Sequence, residues 1–313
     1  MAKTWDVVIV GAGPAGLSAA IYAPRGGLQA LVLEKTMPGG QMLETPAIEN
    51  YPGFTEPVAG IELADKMRAQ AERLGATFDA AEATGLAPIE DGWEIRLHEK
   101  AVRSRTVIAA TGVHPKELPA PGAKERVGRG VSYCATCDGF FFRDKTVLIV
   151  GCGDGAFTEA LVLSKLCRRV FVAIRRLRTD PRGVRAKAAL AEKVFADPTI
   201  EILWGVEVAE VRGEKTVSSV VLRDVTSGER RELPVDGVFV KIGWKPNTDW
   251  LRGVLDLTAG GYVTTDARMR TDRPGLFAAG DVRDPAGRYA QAVIAAAEGA
   301  LAALSAEWYT RGL

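Results

Sequence analysis

Asp6-Val7-Val8-Ile9-Val10-Gly11-Ala12-Gly13-Pro14-Ala15-Gly16 stands at the head of a 313-residue chain, and Ala30-Leu31-Val32-Leu33-Glu34 follows it closely. The first five residues read as a buried parallel strand, the glycines as a tight turn, and Leu17 to Ala23 as the opening of a helix. Ala30 to Leu33 form the next strand, which ends on an acid 23 positions after Gly11. Strand, glycine turn, helix, strand, acid at that spacing is the dinucleotide-binding βαβ unit. Gly11, Gly13, Pro14, Ala15 and Gly16 let the backbone approach a pyrophosphate at a helix N-terminus, and Glu34 accepts from ribose hydroxyls. The competing reading is a glycine turn in an ordinary βαβ unit.

The design recurs. Lys145 to Val150 read as a strand, Gly151-Cys152-Gly153-Asp154-Gly155-Ala156 as a turn, Phe157 to Leu166 as a helix, and Arg169 to Ala173 as a strand. This strand ends in Ile174-Arg175-Arg176, with no acid. Two arginines there suit a 2′-phosphate and hence NADP, or else are solvated charges. Between the two units Val107 to Gly112 is a strand ending in Thr111-Gly112, and Pro115, Pro119 and Pro121 mark a hinge. Later, Val238 to Gly243 lead into Pro246-Asn247-Thr248. Leu276 to Val282 form a strand through Gly280-Asp281, and Gln291 to Tyr309 an alanine-rich helix. The expected fold class is α/β, two Rossmann-like dinucleotide-binding domains with the second inserted into the first. The expected bounds are 1–113 and 244–313 for the first domain and 114–243 for the second.

Cys134-Ala135-Thr136-Cys137-Asp138 lies just ahead of the second glycine turn. Cysteines two apart can close and reopen a small disulfide, and the thiolate is the reactive form. Between two nucleotide signatures, the pair reads as a dithiol that exchanges electrons with a cofactor. Forty basic and 39 acidic residues leave a net charge of +1, which excludes the basic field of a nucleic-acid binder. No apolar run reaches membrane-spanning length, and four cysteines are too few for a secreted scaffold of this size, so a cytoplasmic protein is expected. Zinc would need more ligands than one CxxC with His98 and His114 offers, so no metal is expected. Cys152, Cys167, His98 and His114 are read as structural, with Trp93 to His98 as an exposed hairpin strand.

Over nearly its whole length the chain resembles the bacterial low-molecular-weight thioredoxin reductases. The resemblance rests on Gly11 to Gly16, Pro38-Gly39-Gly40-Gln41, Glu49-Asn50-Tyr51-Pro52-Gly53-Phe54, Ala110-Thr111-Gly112, Cys134 to Gly139, Pro246-Asn247-Thr248 and Ala278-Ala279-Gly280-Asp281-Val282. It implies FAD on the first domain, a homodimer, and a Cys134–Cys137 dithiol passing electrons from reduced flavin to thioredoxin. It also implies that Glu34 and Lys35 lie at the FAD ribose and Gly11 to Gly16 at its pyrophosphate. Gly40, Gln41, Asn50, Thr111 and Gly112 would lie near the flavin, and Gly280 and Asp281 at its ribityl or phosphate part. Gln291 and Ala292 would set a helix N-terminus near the flavin's pyrimidine end, and Asp138 would be the acid that moves protons.

The chain departs from the family at the second turn. The usual NADPH clamp is His-Arg-Arg closely followed by Arg-Ala. Here Ile174-Arg175-Arg176 is separated by eight residues, Pro181 and Gly183 among them, from Arg185-Ala186. Phe157 and Thr158 stand where a small aliphatic and a glutamate are usual, and Tyr289-Ala290-Gln291-Ala292 lacks the arginine common before the glutamine. Gly151, Gly153, Asp154, Gly155, Ala156, Arg175, Arg176 and Arg185 remain candidates for NADPH. A branch of the family instead takes electrons from reduced ferredoxin, and the departures lean that way. Trp308 and Tyr309 could cover a flavin face or simply pack a helix. Two other functions share the scaffold, an oxygen-linked FAD-dependent dithiol oxidase and a non-catalytic flavin binder, and the intact CxxC argues against the latter.

Overall fold

The computed structural model describes residues 3–45, 47–180, 183–284 and 290–313. The chain divides into two compact units, Met1–His114 with Lys245–Leu313, and Pro115–Trp244.

The first unit opens with β1 (Thr4–Val10), α1 (Pro14–Arg25) and β2 (Ala30–Glu34), followed by α2 (Gly60–Arg73) and β3 (Thr77–Ala80). Val7, Val8 and Ile9 are fully buried because β1 is covered on both faces, which is why it reads as an unbroken apolar run. α1 starts at Pro14, three residues before the apolar spacing suggests, because proline has no N–H to lose in a first turn. β4 (Gly85–Ile89), β5 (Gly92–Arg96) and β6 (Ala101–Ala109) form an antiparallel extension of the sheet. The expectation of an exposed hairpin strand at Trp93 to His98 is corrected here. β5 lies between β4 and β6 and turns Trp93, Ile95 and Leu97 into the core, leaving Arg96 and His98 exposed.

The second unit carries β7 (Val131–Ser132), the single-turn helix α3 (Ala135–Asp138), β8 (Thr146–Val150), α4 (Asp154–Ser164) and β9 (Arg169–Ile174). It continues with α5 (Ala188–Ala196), β10 (Ile200–Trp204), an antiparallel trio β11 (Val206–Arg212), β12 (Ser219–Asp224) and β13 (Arg230–Pro234), and β14 (Gly237–Val240). Its parallel sheet runs β10-β9-β8-β14-β7. One face packs on α4 and α5 through Val147, Ile149, Phe157 and Val194. The other packs on the antiparallel trio through Leu148, Val150, Val208 and Leu222.

The chain then returns to the first unit with β15 (Leu276–Ala278) and α6 (Ala292–Thr310). The completed sheet runs β3-β2-β1-β6-β5-β4, with β15 paired to the C-terminal half of β6. Both units are therefore α/β with a parallel sheet built on the Rossmann-like pattern. Among the described residues no helix is long and apolar enough to cross a membrane.

Candidate functional site

In the first unit the carboxyl ends of β1, β2, β6 and β15 open into a cleft of about 770 Å³. Gly11 has φ +100°, and a Cβ on it would lie 2.4 Å from the Ala110 carbonyl oxygen, so only glycine lets the chain turn against the neighbouring strand. Gly16 does not line the cleft. A Cβ there would strike the Gly11 oxygen at 1.8 Å, so this glycine packs the helix on its own turn. Gly13 is different: φ is an ordinary −71°, and a Cβ on it meets nothing within 4 Å. Nothing in the protein requires glycine there, whereas a ligand lying against the turn would. Gly13 also offers no side-chain cap, which leaves the first N–H groups of α1 for an anion.

Glu34 closes the strand after this turn. Its Oε2 accepts the Ala12 N–H at 2.8 Å and its Oε1 accepts the Thr36 N–H at 3.0 Å. Gln41, in the turn after Gly40, donates Nε2 to the Val113 carbonyl at 3.2 Å. Asn50 donates Nδ2 to Gln291 Oε1 at 2.9 Å, and Gln291 precedes the first turn of α6 without capping it. Asn247 is a residue that sequence reasoning quoted as a motif but did not place in the site. Its Nδ2 donates to the Thr111 carbonyl at 2.7 Å, and its own carbonyl accepts from Thr111 Oγ1 at 2.7 Å. His114 Nδ1 lies 2.6 Å from Asn247 Oδ1, so this histidine braces the loop. Gly11, Gly13, Pro14, Ala15, Glu34, Lys35, Gly40, Gln41, Asn50, Thr111, Gly112, Gly280, Asp281, Gln291 and Ala292 all reach the cleft. Tyr289 lies outside the described residues, so the Tyr-Ala-Gln-Ala departure is described only from Ala290 onward.

Beneath Asp281 a buried polar anchor holds the turn. Glu298 Oε2 accepts the Gly280 N–H at 2.8 Å, and its Oε1 pairs with Arg283 Nη1 at 2.7 Å. Trp308 and Tyr309 do not line the cleft. Tyr309 packs edge-on against Phe277 and Trp308 lies under the Arg268 guanidinium, beside a separate cavity of about 650 Å³. Covering a flavin face is therefore not their place. They pack the end of α6.

In the second unit Cys134 and Cys137 are joined by a disulfide, with Cα atoms 5.3 Å apart. Cys134 is half-buried and Cys137 exposed. Cys137 N–H donates to Cys134 Sγ at 3.1 Å, so the bond sits at the N-terminus of α3. Ser132, buried at the end of β7, accepts the Cys134 N–H at 3.0 Å and lies 2.6 Å from Asp138 Oδ2. Sequence reasoning missed Ser132. It also missed Phe140 and Phe141, which are 67% and 70% exposed immediately after this turn. A Phe-Phe pair in sequence looks like core, and only the structure shows it turned outward.

The second glycine turn keeps the form of the first. Gly151 has φ +147°, Gly153 precedes α4 without a side-chain cap, and Cβ atoms on Gly153 and Gly155 meet nothing within 4 Å. The eight-residue gap does not carry Arg185 away from this turn. Its N–H donates to the Cys152 carbonyl at 2.8 Å, and Asp154 Oδ1 accepts the Lys187 N–H at 2.8 Å, so the backbone at Arg185 and Lys187 is tied to the turn. Pro181 lies outside the described residues. Arg175 and Arg185 are exposed, and the Arg176 carbonyl accepts from Gly205. Cys152 is half-buried. Cys167 is buried, and burial pushes its thiol up to about 11.

A family model for pyridine nucleotide-disulphide oxidoreductases matches residues 5–299. A thioredoxin reductase of Treponema pallidum is 45% identical over 99% of this chain and 98% of its own length. The crystal structure of Lactococcus lactis thioredoxin reductase in its FR conformation superposes with a TM-score of 0.88 at 37% identity, covering 99% of this chain and 100% of that one. A ferredoxin-flavin thioredoxin reductase from Clostridium acetobutylicum superposes with a TM-score of 0.54 at 28% identity over the full length of both chains.

Proposed function

The chain belongs to the pyridine nucleotide-disulphide oxidoreductase family and has the fold of the bacterial low-molecular-weight thioredoxin reductases, and on that premise we propose that it reduces the disulfide of a thioredoxin through Cys134 and Cys137. The observation that carries this reading is the Cys134–Cys137 disulfide at a helix N-terminus, with Cys137 an exposed residue. The first-unit cleft fits FAD: Gly13 has room for a pyrophosphate where its side chain would be, Glu34 stands at the ribose position, and α6 points its N-terminus into the cleft. FAD, when bound, supplies two-electron redox chemistry.

The protein's own residues do the rest. Ser132 holds the Asp138 carboxylate, and Asp138 keeps a proton acceptor close to the dithiol. Cys137, the more exposed residue of the two, is the one we assign to meet a thioredoxin disulfide. Phe140 and Phe141 offer the partner an apolar contact beside it. Replacing either cysteine with serine is expected to abolish thioredoxin reduction while flavin stays bound, and turnover in both single variants would refute the assignment. The resemblance further supports a homodimer working in a reducing cytoplasm. Sedimentation equilibrium reporting a monomer at micromolar concentration would exclude the dimer.

For the donor we favour NADPH. The uncapped α4 N-terminus, the empty space over Gly153 and the return of Arg185 to the turn support it. Ile174 in place of the usual histidine supports the second reading, a ferredoxin donor. Anaerobic titration of the flavin with NADPH, reduced ferredoxin or a dithiol separates these from each other and from a dithiol oxidase. Bleaching by ferredoxin but not by NADPH would reverse the preference.

A further inference from the structure

We propose that Arg283 supports the flavin's diphosphate from behind the first-unit cleft, by neutralising the buried Glu298 carboxylate that holds the Gly280–Asp281 turn. The inference rests on the reading of this cleft as the FAD site. Neither Arg283 nor Glu298 lines the cleft. Both are positioning residues, acting through the turn between them and the ligand.

Direct contacts join the pair to the cleft. Glu298 Oε2 accepts the Gly280 N–H at 2.8 Å, and its Oε1 meets Arg283 Nη1 at 2.7 Å. The two side chains are only 10% and 16% exposed. Gly280 itself lines the cleft, with φ +77°. A Cβ on it would lie 3.0 Å from the Ala15 Cβ and 3.7 Å from the Ala295 Cβ, so the turn is pressed between α1 and α6. Ala15 belongs to the first turn of α1, whose N–H groups have no side-chain cap. Gly280 alone therefore separates the Glu298 carboxylate from the anion-binding turn. Arg283 has a second hold, because its Nε donates to Thr265 Oγ1 at 2.6 Å. The Val263 N–H bonds the Val282 carbonyl and the Asp284 N–H bonds the Val263 carbonyl, which keeps Thr265 beside the turn.

The charges around the cleft give Arg283 its importance. Among the described residues that line it, Glu34, Glu44, Glu49 and Asp281 are acidic. Lys35 is the one basic side chain there, and it pairs with Glu82 at 3.4 Å. A diphosphate is an anion, so in this cleft it depends on the N–H groups at the start of α1. Glu298 adds a further carboxylate directly behind them. Its presence follows from the backbone: Gly280 is buried, and a buried N–H needs an acceptor. Buried charge is weakly screened, so an unneutralised Glu298 would repel the ligand across Gly280. Arg283 cancels that charge at its source. Thr265 holds the guanidinium there independently of the carboxylate.

The test measures binding without turnover. The full chain, stripped of flavin, is titrated with FAD by the quenching of flavin fluorescence, and thermal unfolding checks that each variant is folded. Arg283→Met leaves the carboxylate unneutralised and is expected to weaken FAD binding by about tenfold or more. Glu298→Gln keeps an oxygen for the Gly280 N–H and leaves the guanidinium unneutralised, so it is expected to tighten FAD by about threefold or more. The double variant restores neutrality and should bind FAD within about threefold of the unaltered protein. A purely structural pair would weaken FAD in both single variants. Shifts of the same sign, or none in either variant, would overturn the proposal. So would shifts of equal size with riboflavin, which lacks the diphosphate. If Arg283→Met does not fold, Glu298→Gln decides alone, and unchanged or weaker FAD binding there overturns it. FAD uptake by the unaltered protein tests the underlying reading of the cleft separately, so the two failures are distinguishable.

Discussion

Gly299→Ala tests how the first unit holds its nucleotide turn. Gly299 lies in α6, where the helix crosses α1, and a Cβ on it would come to 1.9 Å from the Ala15 carbonyl oxygen. That is about 1.5 Å short of an ordinary contact at 3.4 Å. The obstacle is backbone, which has no rotamer to give, so the cost belongs near the top of the overpacking range, about 3 kcal/mol. Removing a mid-helix glycine returns about 1 kcal/mol. The net loss is about 2 kcal/mol, a fall in Tm of about 4–8 °C for a unit of this size. Ala15 belongs to the turn of α1 whose N–H groups face the cleft, so flavin should also be held more weakly. The assay is thermal unfolding of apoprotein and flavin-loaded protein, with flavin content read from visible absorbance. An unchanged or higher Tm with full flavin occupancy would refute the reasoning, because it would mean that α6 can move off α1 freely.

Gly13→Ala and Gly153→Ala are sterically free in the protein alone, so each should leave the apoprotein Tm within about 1 °C. The first should weaken flavin binding and the second should weaken reduction by NADPH while flavin stays bound; stopped-flow bleaching and equilibrium dialysis check the two. Phe140→Ala with Phe141→Ala should raise KM for thioredoxin by tenfold or so, with little change toward a small aromatic disulfide, as steady-state kinetics with both acceptors would report. Burial raises the Cys167 thiol to about 11. The folded chain therefore keeps a proton there that the unfolded chain loses, and stability should decline as pH rises from about 9 toward 11. Chemical denaturation across that range, with Cys167→Ala as a control lacking this slope, checks it.

Both glycine turns, their order and the CxxC were legible in the sequence because each is a local device. A turn that needs φ above zero, a helix that starts on proline and two cysteines one turn apart leave marks within a few residues. The fold class follows from the repeated strand–turn–helix pattern. What the sequence misread was long-range. Trp93 to His98 alternates like a surface strand, yet β6 and β4 flank it and its apolar face fills the core. The spacing before Arg185 likewise gives no sign that its backbone N–H bonds the Cys152 carbonyl of the turn.

By itself the sequence determined which segments bend, which run through a core and where reactive sulfur sits, because propensity, glycine geometry and spacing act between near neighbours. Only the tertiary structure decided what those segments meet. Asn247 closes on Thr111 across 136 positions, Glu298 reaches Gly280 from the last helix, and Lys241 pairs with Glu159 of α4. These pairs are ordinary polar residues in sequence. Burial in a shared core, where an unpartnered charge is costly, is what selects their partners, and no local pattern records which strand will lie next to which.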